Sequence, residues 1–63
     1  MPHIHLSMYP GRDKETKQKV AKAITDSVVA SLGVDKSVVS VSIEEVEPQN
    51  WESHISDYNI EEI

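Results

Sequence analysis

The chain has 63 residues, no cysteine and a formal net charge of −5 at neutral pH. A domain this short buries only about 60% of its unfolded surface, and neither a disulfide nor a CxxC-type zinc site can support its core. We therefore predict one domain over residues 1–63, stabilised by association with further copies. The acidic charge argues against a nucleic-acid partner. No signal peptide or membrane span is visible, so we expect a soluble cytoplasmic protein with no membrane partner.

The first predicted element is a half-buried strand from His3 to Met8. Apolar and polar residues alternate along it, with Ile4, Leu6 and Met8 on one face and His3, His5 and Ser7 on the other. Alternation with a period of two is typical of a strand that packs on one side only. The segment 9–12, Tyr-Pro-Gly-Arg, ends this strand.

A helix is predicted from about Lys14 to Leu32, with Asp13 as its N-cap and Gly33 as its stop. Its apolar residues recur at helical spacing: Val20, Ile24, Val28 and Leu32, with Ala21, Ala23 and Ala30 beside them. That spacing predicts a stripe that covers one face of a sheet. The lysines in its first half are interpreted as a solvated charged face: Lys14, Lys17, Lys19 and Lys22.

A second strand is predicted from about Val38 to Val46, with Val39, Val41 and Ile43 on one face. The β-α-β order with a long helical crossover predicts two parallel strands with the helix on one face. Two strands and one helix leave open edges, so we predict an α+β fold whose sheet is completed by a partner subunit. Residues 47–50 form a turn, and the acidic segment 51–63 can form one or two helical turns.

Pro2 has distinctive chemistry because its nitrogen becomes a secondary amine if Met1 is removed. Methionine aminopeptidase removes an initiator Met when the next residue is small, and proline qualifies. An apolar pocket or a nearby arginine lowers the pKa of such an amine towards neutral pH, where a general base works best. The structural alternative is that Pro2 only begins the strand, where its missing N–H does no harm. If Met1 is retained, the nitrogen of Pro2 is an amide and cannot act as a base.

These residues together resemble the 4-oxalocrotonate tautomerase family. The matching features are Met1-Pro2, the first strand, Gly11-Arg12 before the helix, the helix ending at Leu32, and the second strand ending at Glu45. The tracts 2–4 and 46–51 are more similar to the PptA-like branch of that family. The resemblance implies the β-α-β tautomerase fold, which is MIF-like, and an isomerase that uses no cofactor.

The resemblance also implies roles for individual residues. Pro2 is implied as the general base that takes a proton from a 2-keto or enol acid and delivers it to another carbon. Arg12 is implied to pair with the substrate carboxylate, and Trp51 to wall the pocket. Ser40 stands where typical hexameric members carry a second arginine. It can bind substrate only by a hydrogen bond, so a dicarboxylate substrate is less favoured than another small carboxylate.

The C-terminal segment departs from the hexameric members of the family. Their glycine-rich hairpin is absent, and the acidic tail 52–63 stands in its place. We therefore expect a homodimer, as in the PptA-like branch, in preference to a hexamer.

A metal site is an alternative interpretation of two histidines. His3 and His5 are two residues apart and share a strand face, so His54 or Glu44 could complete a ligand set. We favour polar residues at a subunit interface or a solvent face, and expect no metal in the site.

Other functions stay open. The chain could be a catalytically silent oligomeric binding module of the same fold. It could also be a hydratase or dehalogenase acting on unsaturated acids, although Ser40 leaves the usual second cation missing. Tyr9 and Tyr58 could each supply an acid or a hydrogen bond, and nothing in the sequence selects either.

Overall fold

A computed structural model of the chain describes residues 1–56. Strand β1 spans His3–Met8, helix α1 spans Lys14–Leu32, strand β2 spans Ser40–Glu45 and helix α2 spans Trp51–Ser56. Two short 3-10 turns, Lys36–Val38 and Pro48–Asn50, precede β2 and α2. The predicted order of β-α-β with a short helical C-terminal segment is confirmed for these residues.

The two strands pair in parallel, as predicted. The register runs from His3 opposite Ser40 to Met8 opposite Glu45. The pairing extends past both strand ends, because the N–H of Ser40 donates to the carbonyl of Pro2 at 3.1 Å and the N–H of Val46 donates to the carbonyl of Met8 at 2.8 Å. This register fixes which side chains share each face of the sheet.

Helix α1 begins and ends where its sequence signals predict. The extended Asp13 accepts a hydrogen bond from the N–H of Thr16 at 2.8 Å, which satisfies one of the unpaired donors of the first turn. Gly33 has a φ of +68°, and its N–H donates to the carbonyl of Val29 at 2.9 Å. Glycine adopts this left-handed conformation without steric cost, so it ends the helix there.

The apolar stripe of α1 is shorter than predicted. Val20, Ile24 and Val28 are half-buried, but Leu32 is 61% exposed. The helix has 19 residues, whereas each strand has six. A helix of that length extends for about 28 Å and such a strand for about 20 Å, so the last turn of α1 projects beyond the sheet. Of the three alanines beside the stripe, Ala21 alone is half-buried.

Three of the four predicted surface lysines are exposed, namely Lys14, Lys19 and Lys22, whereas Lys17 is half-buried. The Nζ of Lys17 donates to Glu45 at 3.2 Å and so connects α1 to the end of β2. Lys22 donates to Asp26 at 2.8 Å, and this hydrogen bond raises the pKa of Lys22 and lowers that of Asp26. Exposed pairs of this kind contribute little to stability.

Strand β2 begins two residues later than predicted. Val38 lies in the 3-10 turn that Asp35 caps, with the side chain of Asp35 accepting the N–H of Ser37 at 3.0 Å. The hydrogen bond to Ser37 also lowers the pKa of Asp35. The local cap therefore takes Val38 out of the strand, whose first residue is Ser40.

The apolar face of the sheet is only partly covered within one protomer. Among residues 1–56, Val46 alone is buried, at 7% exposure. The apolar residues of both strands are half-buried: Ile4, Leu6, Met8, Val41 and Ile43. A two-stranded sheet with open edges and so small a core favours oligomerisation. No helix in the described part of the chain is long and apolar enough to span a membrane.

Candidate active site

One group of predicted site residues lies at the start of β1. Pro2 is half-buried and directly precedes the strand, whereas Met1 is 96% exposed. The carbonyl of Pro2 is held by the N–H of Ser40, and the hydroxyl of Ser40 lies 2.6 Å from Nδ1 of His3. We call Pro2, His3 and Ser40 the proline end of the sheet. Strand pairing, which acts through the backbone, places Pro2 and Ser40 side by side.

A second group lies beyond the other end of β1. The rings of Tyr9 and Trp51 meet edge to face, with centroids 5.0 Å apart and planes at 88°. This is one of the arrangements that aromatic pairs prefer. Arg12 is exposed and follows Gly11, whose φ of +123° is open to glycine and strained for other residues. We call Tyr9, Arg12 and Trp51 the arginine end of the sheet.

The fold keeps these two groups apart within one protomer. All six residues of β1 lie between Pro2 and the loop that carries Arg12. At the usual rise per residue this strand extends for about 20 Å, which is longer than a small acid. A small acid bound at Pro2 therefore does not extend to the loop backbone of Arg12 in the same protomer.

A surface depression of about 700 Å³ lies between the end of β2 and α2. Glu44, Glu45, Glu47 and His54 are among its lining residues. Three carboxylates repel a substrate carboxylate, so this depression does not suit the substrate that the sequence implies.

The sheet face that points away from α1 carries a polar ladder, in which the polar stripe of β1 faces a second polar stripe on β2. It consists of facing polar side chains from both strands together with one residue of α2: His3, His5, Ser7, Ser40, Ser42, Glu44 and His54. The detectable signal is that two polar stripes, His-x-His-x-Ser and Ser-x-Ser-x-Glu, oppose each other in the parallel register. We call these residues the histidine ladder.

Hydrogen bonds connect the histidine ladder from Ser40 to Glu44, and a 3.6 Å contact between His54 and Glu44 joins the Ser7–His54 pair to it. His3 contacts Ser42 through Nε2 at 3.1 Å, and His5 contacts the same hydroxyl through Nδ1 at 2.6 Å. The Nε2 of His5 lies 2.9 Å from Oε1 of Glu44. The Nε2 of His54 lies 2.9 Å from the Ser7 hydroxyl and 3.6 Å from the same Glu44 oxygen. Both histidines of β1 therefore contact Ser42, but His3 has Ser40 as its second partner and His5 has Glu44.

Tyr58 lies outside the described residues. Tyr9 is placed against Trp51, which gives it a contact that nothing in the sequence indicated. The expected absence of a metal and a cofactor from the reaction site stays a prediction.

Comparison with protein families matches residues 2–54 to the family described as "Tautomerase enzyme". The chain belongs to the tautomerase family. A probable tautomerase of Ralstonia nicotianae is 37% identical over 51 residues, which cover 81% of this chain and 78% of that protein. Tautomerase PptA of Escherichia coli is 32% identical over 54 residues, which cover 84% of this chain and 72% of that protein. These relatives confirm the family resemblance and support the PptA-like branch.

Solved structures confirm the β-α-β tautomerase fold. A 4-oxalocrotonate tautomerase of Chloroflexus aurantiacus, described as a heterohexamer, is 31% identical with a TM-score of 0.77. That likeness covers 81% of this chain and 82% of that chain. TomN, a 4-oxalocrotonate tautomerase homologue of the tomaymycin biosynthetic pathway, is 28% identical with a TM-score of 0.76, covering 79% and 77%. The open two-stranded sheet of this tautomerase-family chain is thus the protomer fold of known tautomerases.

Proposed function

We propose that this tautomerase-family protein is an isomerase that moves a proton within small 2-keto or enol acids, with the amine of Pro2 as the general base. The observation that carries the proposal is the position of Pro2. It is half-buried, it directly precedes β1, and it follows the exposed Met1. Removal of Met1 would leave a rigid secondary amine held at the edge of the sheet.

The proton transfer is balanced without any cofactor. The neutral amine takes the proton from the enol oxygen, or from a carbon next to the carbonyl, and becomes an ammonium. It then delivers that proton to another carbon of the same molecule, so that the double bond shifts and the amine returns to its neutral form. Positioned acid–base groups of this kind contribute roughly a 100- to 10,000-fold rate increase.

We propose that the site is shared between two protomers of a homodimer. Pro2 comes from one protomer, whereas Arg12 and Trp51 come from the partner subunit. This sharing is supported by the separation of Pro2 from Arg12 along β1 and by the open edges of the sheet. A homodimer with a four-stranded sheet and both α1 helices on one face would close two of those edges.

Each remaining site residue has a proposed contact with the substrate. The guanidinium of Arg12 pairs with the carboxylate through two parallel hydrogen bonds. Trp51, already held against Tyr9, supplies an apolar wall. Both the cation and the apolar wall disfavour the ammonium form of Pro2 and thereby lower its pKa. Ser40, bonded through its backbone to Pro2, offers a hydroxyl to a second oxygen of the substrate.

The test compares chains that differ only at the amino terminus. A chain of 63 residues is within reach of chemical synthesis, which gives protein with free Pro2, with N-acetylated Pro2 and with Met1 retained. Intact mass verifies each form, and ketonisation of phenylenolpyruvate measures the rate. Since an acylated nitrogen has no basic lone pair, we expect both blocked chains to lose about 100- to 10,000-fold in kcat/KM.

The pH profile provides a second criterion in the same experiment. For free Pro2, the rate should rise with pH as a single group loses its proton, and this rise should be absent from both blocked chains. Equal rates in the free and the N-acetylated chains would exclude Pro2 as the base. They would favour a catalytically silent binding module of the same fold.

A further inference from the structure

Three ligand-type side chains converge where the histidine ladder meets α2. One ligand atom from each of His5, Glu44 and His54 lies within 4.8 Å of the other two. The Nε2 atoms of both histidines approach the same oxygen of Glu44, at 2.9 and 3.6 Å. The three residues come from β1, β2 and α2, so only the folded chain brings them together.

These distances are close to those of a metal site. Ligands at the usual Zn–N and Zn–O distances stand about 3.3 Å apart at tetrahedral geometry, so small side-chain rotations suffice. Two imidazoles and one carboxylate, with a fourth position for water, are a donor set that Zn²⁺ accepts. Imidazole nitrogen also suits Ni²⁺ and Cu²⁺, whereas Mg²⁺ and Ca²⁺ prefer oxygen.

The surroundings favour a cation. The Nδ1 of His5 lies 2.6 Å from the Ser42 hydroxyl, and such an outer contact fixes the orientation of a ligating ring. Glu47 lines the adjacent depression and adds negative charge, whereas the charge of Glu45 is offset by its ion pair with Lys17. Metal binding at Nε2 of His54 would displace its contact with Ser7, which is a modest loss against a new metal bond.

Against the expectation from the sequence that no metal binds here, we propose that His5, Glu44 and His54 form a binding site for a divalent transition-metal ion such as Zn²⁺, which fastens α2 to the sheet. The site is separate from the residues proposed for proton transfer and does not depend on that proposal. Its expected effect is structural: through His54 the metal would hold α2, whose first residue is Trp51, against the sheet. A ligand that binds only the folded chain also stabilises it.

The first experiment measures Zn²⁺ binding to the tag-free chain by calorimetry, together with thermal unfolding in the presence and absence of Zn²⁺. H5Q and H54Q each remove a ligand. Each should weaken Zn²⁺ binding by at least roughly 10- to 100-fold, which is the loss typical when only an outer contact of a ligand is removed. S42A, which removes that outer contact, should weaken it less. The rise in Tm on adding Zn²⁺ should disappear in H5Q and H54Q.

Two matched controls separate the site from nonspecific attraction. H3Q removes the other histidine of the same face, and E47Q removes a carboxylate of the depression outside the three ligands. The Zn²⁺ affinity of both variants should stay within about twofold of that of the unmodified chain, a much smaller change than the loss of a ligand causes. Equal losses in H3Q and H5Q, or no saturable binding by the unmodified chain, would overturn the proposal.

A measurement on the unmodified chain covers the case in which a variant fails to fold. Imidazole ¹⁵N resonances of His5 and His54 should shift on Zn²⁺ titration with the same saturation point, while those of His3 stay in place. Shifts of all three histidines without saturation would overturn the proposal, because they indicate weak, nonspecific binding of Zn²⁺.

Discussion

The two ends of β1 are held in place by different forces. At the proline end, backbone pairing with β2 fixes Pro2 through the N–H of Ser40. At the arginine end, Arg12 leaves the strand in a loop that depends on the φ of Gly11, the ring contact of Tyr9 with Trp51 and the start of α1. Pro2, the proposed base, is therefore placed by strand pairing, whereas Arg12, the proposed carboxylate-binding group, lies in a loop outside that pairing.

This difference predicts different responses to change. Acylation of the Pro2 nitrogen should remove the activity in one step, because the backbone holds that atom in the same place whether or not it is protonated or acylated. Substitutions at the arginine end should have graded effects, because Arg12 is exposed and lies in a loop outside the strand pairing. The experiments below separate the two ends in order of decreasing effect.

The largest effect at the arginine end is expected for R12A. Loss of one charge-assisted contact to the substrate carboxylate should lower kcat/KM roughly ten- to a hundredfold. The loss should appear mainly in KM, because the same contact exists in the bound substrate and in the transition state. Steady-state kinetics with phenylenolpyruvate measures it.

Two further variants serve as controls for R12A. R12K keeps the charge but not the paired hydrogen bonds, so it should lie between R12A and the unmodified chain. K14A removes one positive charge two residues away and should change kcat/KM by less than about twofold, as exposed charges do at a distance. Unchanged kinetics in R12A would remove Arg12 from the site, and an equal loss in K14A would indicate a general charge effect.

A mixing experiment tests whether the two ends of β1 meet across subunits. R12A retains a free Pro2, and the N-acetylated chain retains Arg12, so a mixed dimer holds one site with both groups intact. Because a two-fold dimer contains two sites, random exchange should restore about one quarter of the unmodified activity. Each parent alone stays far below that level, and the rate is measured after the mixture is unfolded and refolded.

As a control, each parent chain is unfolded and refolded without the other. Neither treatment should restore activity. Activity of the mixture equal to the mean of its parents would place each site within one protomer. Sedimentation at low micromolar concentration belongs to the same experiment. A folded monomer would contradict the shared site, and a hexamer would contradict the choice of a homodimer.

Local sequence signals were sufficient for most of the fold. Alternation gave β1, and Asp13 and Gly33 gave both ends of α1, because caps and strand periodicity depend on neighbouring residues. The parallel pairing followed from chain order alone. Two predictions were wrong. Leu32 was expected to be covered but is exposed, because α1 is longer than the strands, and Val38 was expected in β2 but lies in the turn that Asp35 caps.

The site was less accessible from sequence because its contacts are between elements. Pro2 and Arg12 are separated by the predicted strand, so their placement at opposite ends of β1 follows from the sequence, whereas the contacts around each of them do not. The contact of His54 with Ser7 and Glu44 depends on how α2 folds back on the sheet. Only the strand register, which the sequence did not specify, brings the serines and histidines of the ladder together.

The smallest effect concerns the cap next to Arg12. The carboxylate of Asp13 accepts the N–H of Thr16, so D13A should lower Tm by a few degrees, the shift expected in a small domain when one cap is lost. D13N retains a capping oxygen and should keep most of that stability. Thermal unfolding at fixed protein concentration measures both variants, because association also affects Tm.

The pH dependence of the cap distinguishes the carboxylate from the amide. The hydrogen bond from Thr16 is the main cause that lowers the pKa of Asp13 below its ordinary value of 3.8. A carboxyl group whose pKa is lower in the folded state stabilises the fold fully above its unfolded pKa. That contribution is lost as the pH falls through the folded pKa.

The Tm advantage of the unmodified chain over D13N should therefore be constant near neutral pH and shrink below about pH 4, because the amide does not titrate. An advantage that stays constant through the acid range would show that the charge of Asp13 plays no part in the cap.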